Sequence, residues 1–190
     1  MPEAVGRVVR LIRDLRPQVI ITHDETGGYF HPAHIQCYKV TTAAFHAAAD
    51  STQYVDLGAA YAAQKMYYSA FPNTWVKFFV FMMRLQRKDP TKVGRNKDID
   101  MTRLGMPPSK IHARIDYRAY WELKRLASAA HASQGGGTGG RLSWLPTSIQ
   151  KRLLGKESFI RAVPAAPDGY REAELFGDVV IDTEAIMTVD

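Results

Sequence analysis

The chain has 190 residues, of which 46% are apolar and 23% charged, and its formal net charge is +6. This length and balance are typical of one globular domain with its own hydrophobic core, and leave too little chain for two comfortable domains. The single cysteine, Cys37, excludes an intrachain disulfide scaffold. The basic residues are scattered without an aromatic-rich basic stripe, so we expect no nucleic-acid binding.

The first helix and strand are predicted at the start of the chain. Apolar residues recur at helical spacing over 3–16, and the arginines of this stretch are expected to form a solvated face. Pro17 ends the helix because the residue before a proline is pushed away from the helical conformation. The consecutive apolar residues of QVIIT at 18–22 then favour a strand that is buried on both faces of a parallel sheet.

A glycine-containing turn and a second helix follow this strand. Gly27 and Gly28 make a flexible turn, and Pro32 favours the start of a helix that includes residues 34–49. The order of helix, strand, loop and helix is typical of an open α/β sheet. In such sheets ligands bind beyond the carboxyl ends of the strands.

The remaining elements are predicted from shorter patterns. Three runs indicate strands or short extended elements: KMYYSAF at 65–71, ESFIRAV at 157–163 and ELFGDVVI at 174–181. Helical spacing predicts a helix over 115–132, whereas 74–88 leave the choice of element open and the prolines and glycines of 89–110 indicate a loop. The low-complexity run SQGGGTGG at 133–140 predicts a flexible loop.

The sequence contains no pattern typical of a signal peptide or of a membrane-spanning segment. The most apolar stretch, WVKFFVFMM at 75–83, contains Lys77 and is too short to span a bilayer. The first residues, MPEAVGRVVRLIRDLRP, contain no apolar region of the kind found in signal peptides. We therefore expect no membrane span and a cytoplasmic location.

Most of the candidate catalytic or metal-binding residues lie in the loop after the first predicted strand. Tyr29, His31 and His34 lie there, directly after the glycine pair. Imidazole is a common zinc ligand and an acid or base near neutral pH, and a tyrosine hydroxyl can donate to a developing oxyanion. A catalytic zinc takes three protein ligands and lowers the pKa of its bound water to about 7. From spacing alone, a metal site and a histidine pair that merely caps a helix both stay open.

The run RPQVIITHDETGGYFHPAH at 16–34 strongly resembles the PIG-L/LmbE family of zinc-dependent N-deacetylases, whose members typically read RPDVVVT…GGYGHPDH here. Three later stretches resemble family segments in the same order: KMYYSAFP at 65–72, IHARIDYRAYWELKRLASAAHASQ at 111–134 and GKESFIRAVPAAPDGYREAELFGDV at 155–179. The resemblance implies a Rossmann-like α/β fold, a three-layer sheet with helices on both faces. It also implies a single family domain over 1–190.

The resemblance also implies roles for the loop residues. His34 would be a zinc ligand, and His31 would be a general acid or an electrostatic stabiliser of the tetrahedral intermediate. Tyr29 would help to bind the oxyanion. The implied cofactor is Zn²⁺, and the implied substrate is a small N-acylated sugar or sugar conjugate, such as an N-acetylglucosaminyl compound. The resemblance does not name the substrate further.

Two departures from the family pattern affect this expectation. Ala33 stands where the resemblance implies an aspartate that orients its neighbours. The family's AHPDDE motif, which supplies the other zinc ligands and the general base, does not occur in these 190 residues. We therefore expect the chain to correspond to the C-terminal part of the domain, with the N-terminal strands missing and an incomplete metal site. The alternative is a non-catalytic remnant or partner-binding module without metal, which would form a homo-oligomer or complement an N-terminal segment.

Overall fold

The computed structural model describes residues 1–94, 97, 99–131 and 145–181, and it has a mixed α/β fold. The elements follow one another as α1 (Pro2–Leu15), β1 (Val19–His23), α2 (Pro32–Ala49), β2 (Lys65–Ala70), α3 (Asn73–Leu85), β3 (Ala113–Asp116), α4 (Trp121–Ala129), α5 (Thr147–Leu154) and β4 (Lys156–Val163). The loop expected at 133–140 lies outside the described residues. None of the helices within the described ranges has the length and apolar character that a bilayer span requires.

The four strands form one mixed sheet in the order β1-β2-β4-β3. Strands β1 and β2 are parallel, with His23 opposite Ser69 at their last paired position, and β4 is antiparallel to both of its neighbours. The carboxyl ends of β1 and β2 therefore meet at one edge of the sheet, where ligands of open α/β folds bind. The arrangement confirms the expected Rossmann-like α/β class and places β1 at one side of the described sheet.

The first two helices pack against each other through small and branched side chains. Val9 of α1 and the alanines Ala44 and Ala48 of α2 have no exposed surface. Alanine has no atoms beyond Cβ, so the two helices can approach closely while Val5 and Ile12 extend the same contact. This packing supports α2, whose first turn carries the predicted histidines.

Arg13 departs from the expectation that the arginines of the first helix form a solvated face, and for this residue the prediction is wrong. Its side chain is only 6% exposed. The guanidinium donates hydrogen bonds of 2.7–3.2 Å to six carbonyl oxygens at the end of α2 and in the loop that follows it: those of Ala47, Ala48, Asp50, Gln53, Tyr54 and Gly58. The last carbonyls of a helix lack partners within the helix, and arginine carries enough donors to satisfy several of them.

Strand pairing revises one helix prediction. The helix expected over 115–132 begins only at Trp121, because residues 113–116 pair with β4 as β3, with Ala113 opposite Phe159. A strand partner thus overrides the helical spacing of these residues. The ambiguous stretch 74–88 forms α3, and the patterns gave no indication of α5.

The element expected at 174–181 is not formed, and this prediction is wrong. The segment is held by side chains of β2 and the residue before it, rather than by a neighbouring strand. The amide of Gln64 donates to the carbonyl of Val180 at 2.7 Å and accepts from its N–H at 2.9 Å. The buried ammonium of Lys65 donates to the carbonyl oxygen of Gly177. Because side chains satisfy these backbone groups, no strand ladder is needed.

Candidate active site

The loop between β1 and α2 is folded around the carboxylate of Asp24, which is 5% exposed. One oxygen of Asp24 accepts hydrogen bonds from the backbone N–H of Thr26 at 3.0 Å, from its hydroxyl at 2.7 Å and from the N–H of Gly28 at 3.0 Å. An aspartate that bonds its own backbone two residues on stabilises a turn. Asp24 therefore shapes the loop that carries the candidate site.

Gly27 allows this loop to lie directly against α2. Its φ is +62°, and a Cβ atom there would lie 2.7 Å from the Cβ of His34 and 2.8 Å from the backbone nitrogen of Ile35. Only glycine accommodates both the backbone conformation and the contact. The close approach brings the carbonyl oxygen of Gly27 to 3.0 Å from Nδ1 of His34.

The ring of His34 is oriented by that contact. A carbonyl only accepts, so Nδ1 of His34 carries the hydrogen and Nε2 keeps the lone pair. Such a hydrogen bond from Nδ1 to a backbone carbonyl is the usual support for a histidine whose Nε2 binds a metal. Half-buried His34 thus presents one lone-pair nitrogen.

His31 has the opposite arrangement. It is the N-cap residue of α2, and its Nδ1 accepts a hydrogen bond of 3.2 Å from the backbone N–H of Ala33. The neutral ring therefore carries its hydrogen on Nε2. Because His31 is exposed at the positive end of the α2 dipole, its Nε2–H is suited to donate towards a negatively charged group in solvent.

The structure brings the three predicted residues together and adds a fourth ring. Centroids of Tyr29 and His34 are 5.0 Å apart, those of His31 and His34 are also 5.0 Å apart, and those of Tyr29 and His31 are 5.6 Å apart. His23, the last residue of β1, stacks on His34 at 4.2 Å. Burial and, to a smaller extent, the neighbouring His34 lower the pKa of His23, while Asp24 acts in the opposite direction.

This cluster does not provide a complete set of metal ligands. Across the ranges that the structure describes, no three histidine, cysteine, aspartate or glutamate side chains are grouped to hold one ion. A catalytic zinc takes three protein ligands, whereas the lone pair of His34 Nε2 provides one. The described residues therefore do not by themselves fit a zinc site, and what they offer is hydrogen bonding and acid–base chemistry.

Sequence patterns missed one neighbour of the loop. Phe30, between Tyr29 and His31, has a positive φ of 65°, and the guanidinium carbon of Arg103 lies 4.2 Å from the centre of its ring. An arginine over an aromatic face is a favourable cation–π contact. No spacing rule links two residues so far apart in the chain, so only the tertiary structure reveals this contact.

The fold and the histidine residues beyond β1 define a Rossmann-like α/β protein with a candidate active site. No protein-family model matches the chain. Curated relatives named 1D-myo-inositol 2-acetamido-2-deoxy-alpha-D-glucopyranoside deacetylase are similar to it. Identity is 32% for that of Geodermatophilus obscurus, 36% for that of Thermobifida fusca and 36% for that of Acidothermus cellulolyticus.

These alignments include 93%, 91% and 93% of the present chain, but 60%, 59% and 56% of the respective relatives. The chain thus spans somewhat more than half the length of the curated relatives that it matches. These similarities confirm the resemblance to the PIG-L/LmbE family that the four motifs predicted.

Proposed function

We propose that this chain carries part of the active site of an N-deacetylase that acts on an N-acetylglucosaminyl or related N-acyl sugar. The observation that carries the proposal is the convergence of Tyr29, His31 and His34 at the first turn of α2, beyond the carboxyl end of β1. The names of the relatives, which describe deacetylases of an acetylated glucosaminyl inositol, support the reaction and the substrate class.

Amide hydrolysis adds water to the carbonyl carbon, breaks the C–N bond and transfers a proton to the departing amine. We assign His31 as a hydrogen-bond donor to the carbonyl oxygen of the amide, where negative charge develops. Its Nδ1 is occupied by the helix cap, so its Nε2–H is available to a ligand. To deliver a proton to the amine as a general acid, the ring must first gain a proton on Nδ1, which breaks the hydrogen bond from Ala33. Tyr29, whose ring lies 5.6 Å from that of His31, is the second donor to the oxyanion.

For His34 we propose the role of a zinc ligand through Nε2. Bound zinc would act as a Lewis acid, and because no three candidate ligands are grouped among the described residues, at least one further ligand would have to come from elsewhere. The role proposed for His31 rests on its own hydrogen bond, and the role proposed for Tyr29 rests on the position of its ring. The cytoplasmic location expected from the sequence stays a prediction.

The test is release of free amine from the acetylated glucosaminyl inositol by the purified protein, together with its zinc content. We expect His31→Ala to lower kcat about 100-fold to 1000-fold, as loss of an oxyanion donor does. His34→Ala should remove bound zinc, and Gln36→Ala, an exposed residue of the same helix, should change neither value. Unchanged zinc in His34→Ala would contradict the metal assignment, and unchanged kcat in His31→Ala would contradict the catalytic one.

A second candidate function is a binding module without metal. It is favoured by the position of β1 at the side of the described sheet, where Ile21 is 48% exposed. An unpaired strand side is a template for pairing with another chain. Such a module would purify without zinc and release no amine, and it would change its sedimentation coefficient when a complementing segment or a second copy binds.

A further inference from the structure

A groove of about 400 Å³ lies between α3 and the segment that includes residues 101–105. Three basic side chains line it, those of Lys77 and Arg84 on α3 and that of Arg103 on the facing segment. Its lining includes no aspartate or glutamate. Lys77 and Arg84 are seven residues apart, which is two helical turns, so both lie on the same face of α3.

The wall opposite α3 is held close to the helix by backbone contacts. The N–H of Met106 donates to the carbonyl of Phe71 at 2.7 Å, and the N–H of Asn73 donates to the carbonyl of Met106 at 2.9 Å. Gly105 has a φ of +83°, and a Cβ atom there would lie 2.8 Å from Cα of Asn73. The groove is therefore built by a close approach that requires glycine.

One end of the groove adjoins the candidate active site. Arg103 lines the groove and also lies over the ring of Phe30, the residue between Tyr29 and His31. The β2–α3 junction approaches the same loop, because a Cβ atom on Gly28 would lie 3.8 Å from the ring of Phe71. A ligand that occupies both the candidate active site and the groove would extend from the histidine cluster along α3.

The three basic residues have a charge that nothing in the described part of the chain neutralises directly. None of them takes part in the ion pairs found among the described residues. Like charges that share a groove repel one another, and a multiply charged anion relieves this repulsion. Guanidinium groups bind phosphate with strong, charge-assisted hydrogen bonds, and lysine acts beside them as a point charge.

We propose that this groove binds a phosphate group of the substrate, so that the deacetylase acts on a phosphorylated derivative of an N-acyl amino sugar. The inference rests on the proposed function and narrows its substrate class. The substrate in the relatives' names, an acetylated glucosaminyl inositol, has no ionisable group. The groove therefore indicates a substrate that differs from theirs in charge.

The test is calorimetric titration of the purified protein with three probes: N-acetyl-α-D-glucosamine 1-phosphate, the matched methyl N-acetyl-α-D-glucosaminide, and inorganic phosphate. We expect the sugar phosphate to bind about tenfold or more tightly than the methyl glycoside, with a preference that shrinks as salt is added. The double variant K77Q/R84Q should lose this preference and the binding of inorganic phosphate. The double variant R87Q/K88Q removes the same charge from exposed residues outside the groove lining and should keep both.

Equal affinity of the wild-type protein for the two sugars would overturn the proposal while leaving the proposed function in place. Equal losses in the two double variants would also overturn it, because the effect would then follow net charge. Groove-dependent binding of phosphate with no binding of either sugar would support the anion site and contradict the proposed function. Vesicles with and without phosphatidic acid distinguish the source of the group: binding that K77Q/R84Q abolishes indicates a lipid headgroup, and binding of only the soluble probe indicates a free sugar phosphate.

Discussion

Nδ1 of His34 lies 3.0 Å from the carbonyl oxygen of Gly27, and this contact sets the tautomer of the ring. His31, three residues earlier, is fixed in the other tautomer because its Nδ1 accepts from the N–H of Ala33. The two neighbouring imidazoles therefore offer different chemistry, a lone pair from His34 and a hydrogen from His31.

Nitrogen-15 spectra of the imidazoles test this pair of tautomers directly. For the neutral form of each ring we expect the hydrogen on Nδ1 in His34 and on Nε2 in His31. Assignment of the signals uses the variants His31→Gln and His34→Gln. The same tautomer in both residues would contradict the division of roles proposed here.

Gly27→Ala should destabilise the protein more than Gly28→Ala. Both glycines have positive φ, 62° and 78°, so each substitution costs about 1–2 kcal/mol for the left-handed backbone. At Gly27 the added methyl group also meets His34 and Ile35, whereas at Gly28 the nearest atom is 3.8 Å away. Urea unfolding of the two variants measures the difference. Equal losses of unfolding free energy would mean that the contact with α2 does not constrain Gly27.

Arg13→Met should lower the free energy of unfolding by about 2–4 kcal/mol, because it leaves carbonyls at the end of α2 without their donor. Arg13→Lys should recover only part of this loss, since an ammonium has fewer donors than a guanidinium. Arg10 is exposed on the same helix, and Arg10→Met is the matched control with an expected change within about 0.5 kcal/mol. A loss in Arg10→Met as large as in Arg13→Met would show that net charge, rather than the buried hydrogen bonds, is responsible.

Stability should depend on pH through Asp50, at the end of α2. Hydrogen bonds from the side chain of Thr52, then from Gln53 and the Thr52 backbone, lower the pKa of the Asp50 carboxyl from 3.8 to about 2. The folded state therefore favours the ionised form, and its contribution is present above the unfolded pKa and lost as pH falls towards about 2.

The measurement is the urea midpoint of the wild-type protein and of Asp50→Asn at a series of pH values. We expect the variant to be less stable near neutrality and the difference to vanish between about pH 4 and pH 2. Asp56→Asn removes an exposed carboxylate from the same loop and should show no such dependence. A difference that stays constant down to the lowest pH would mean that the charge of Asp50 does not stabilise the fold.

Local patterns in the sequence were sufficient for the elements that build the candidate site. Helical spacing, the proline at the start of α2 and the apolar run of β1 predicted these three elements to within a few residues of their observed bounds. The motif around Gly27 and Gly28 placed Tyr29, His31 and His34 within six residues of one another, and residues so close in sequence stay close in space whether they lie in the loop or, like His34, in the first turn of α2.

Contacts between distant segments were decided only by the tertiary structure. From the sequence, Arg13 is predicted to be solvated, but in the fold it hydrogen-bonds to carbonyls at the end of α2. Residues 115 and 116 are predicted to be helical, but residues 113–116 pair with β4 as a strand. Likewise, the contact of Arg103 with Phe30 and the groove beside it depend on how residues 101–105 fold back against α3. Hydrogen bonds and charges act over a few ångströms, so their effect depends on which distant residues the fold brings together.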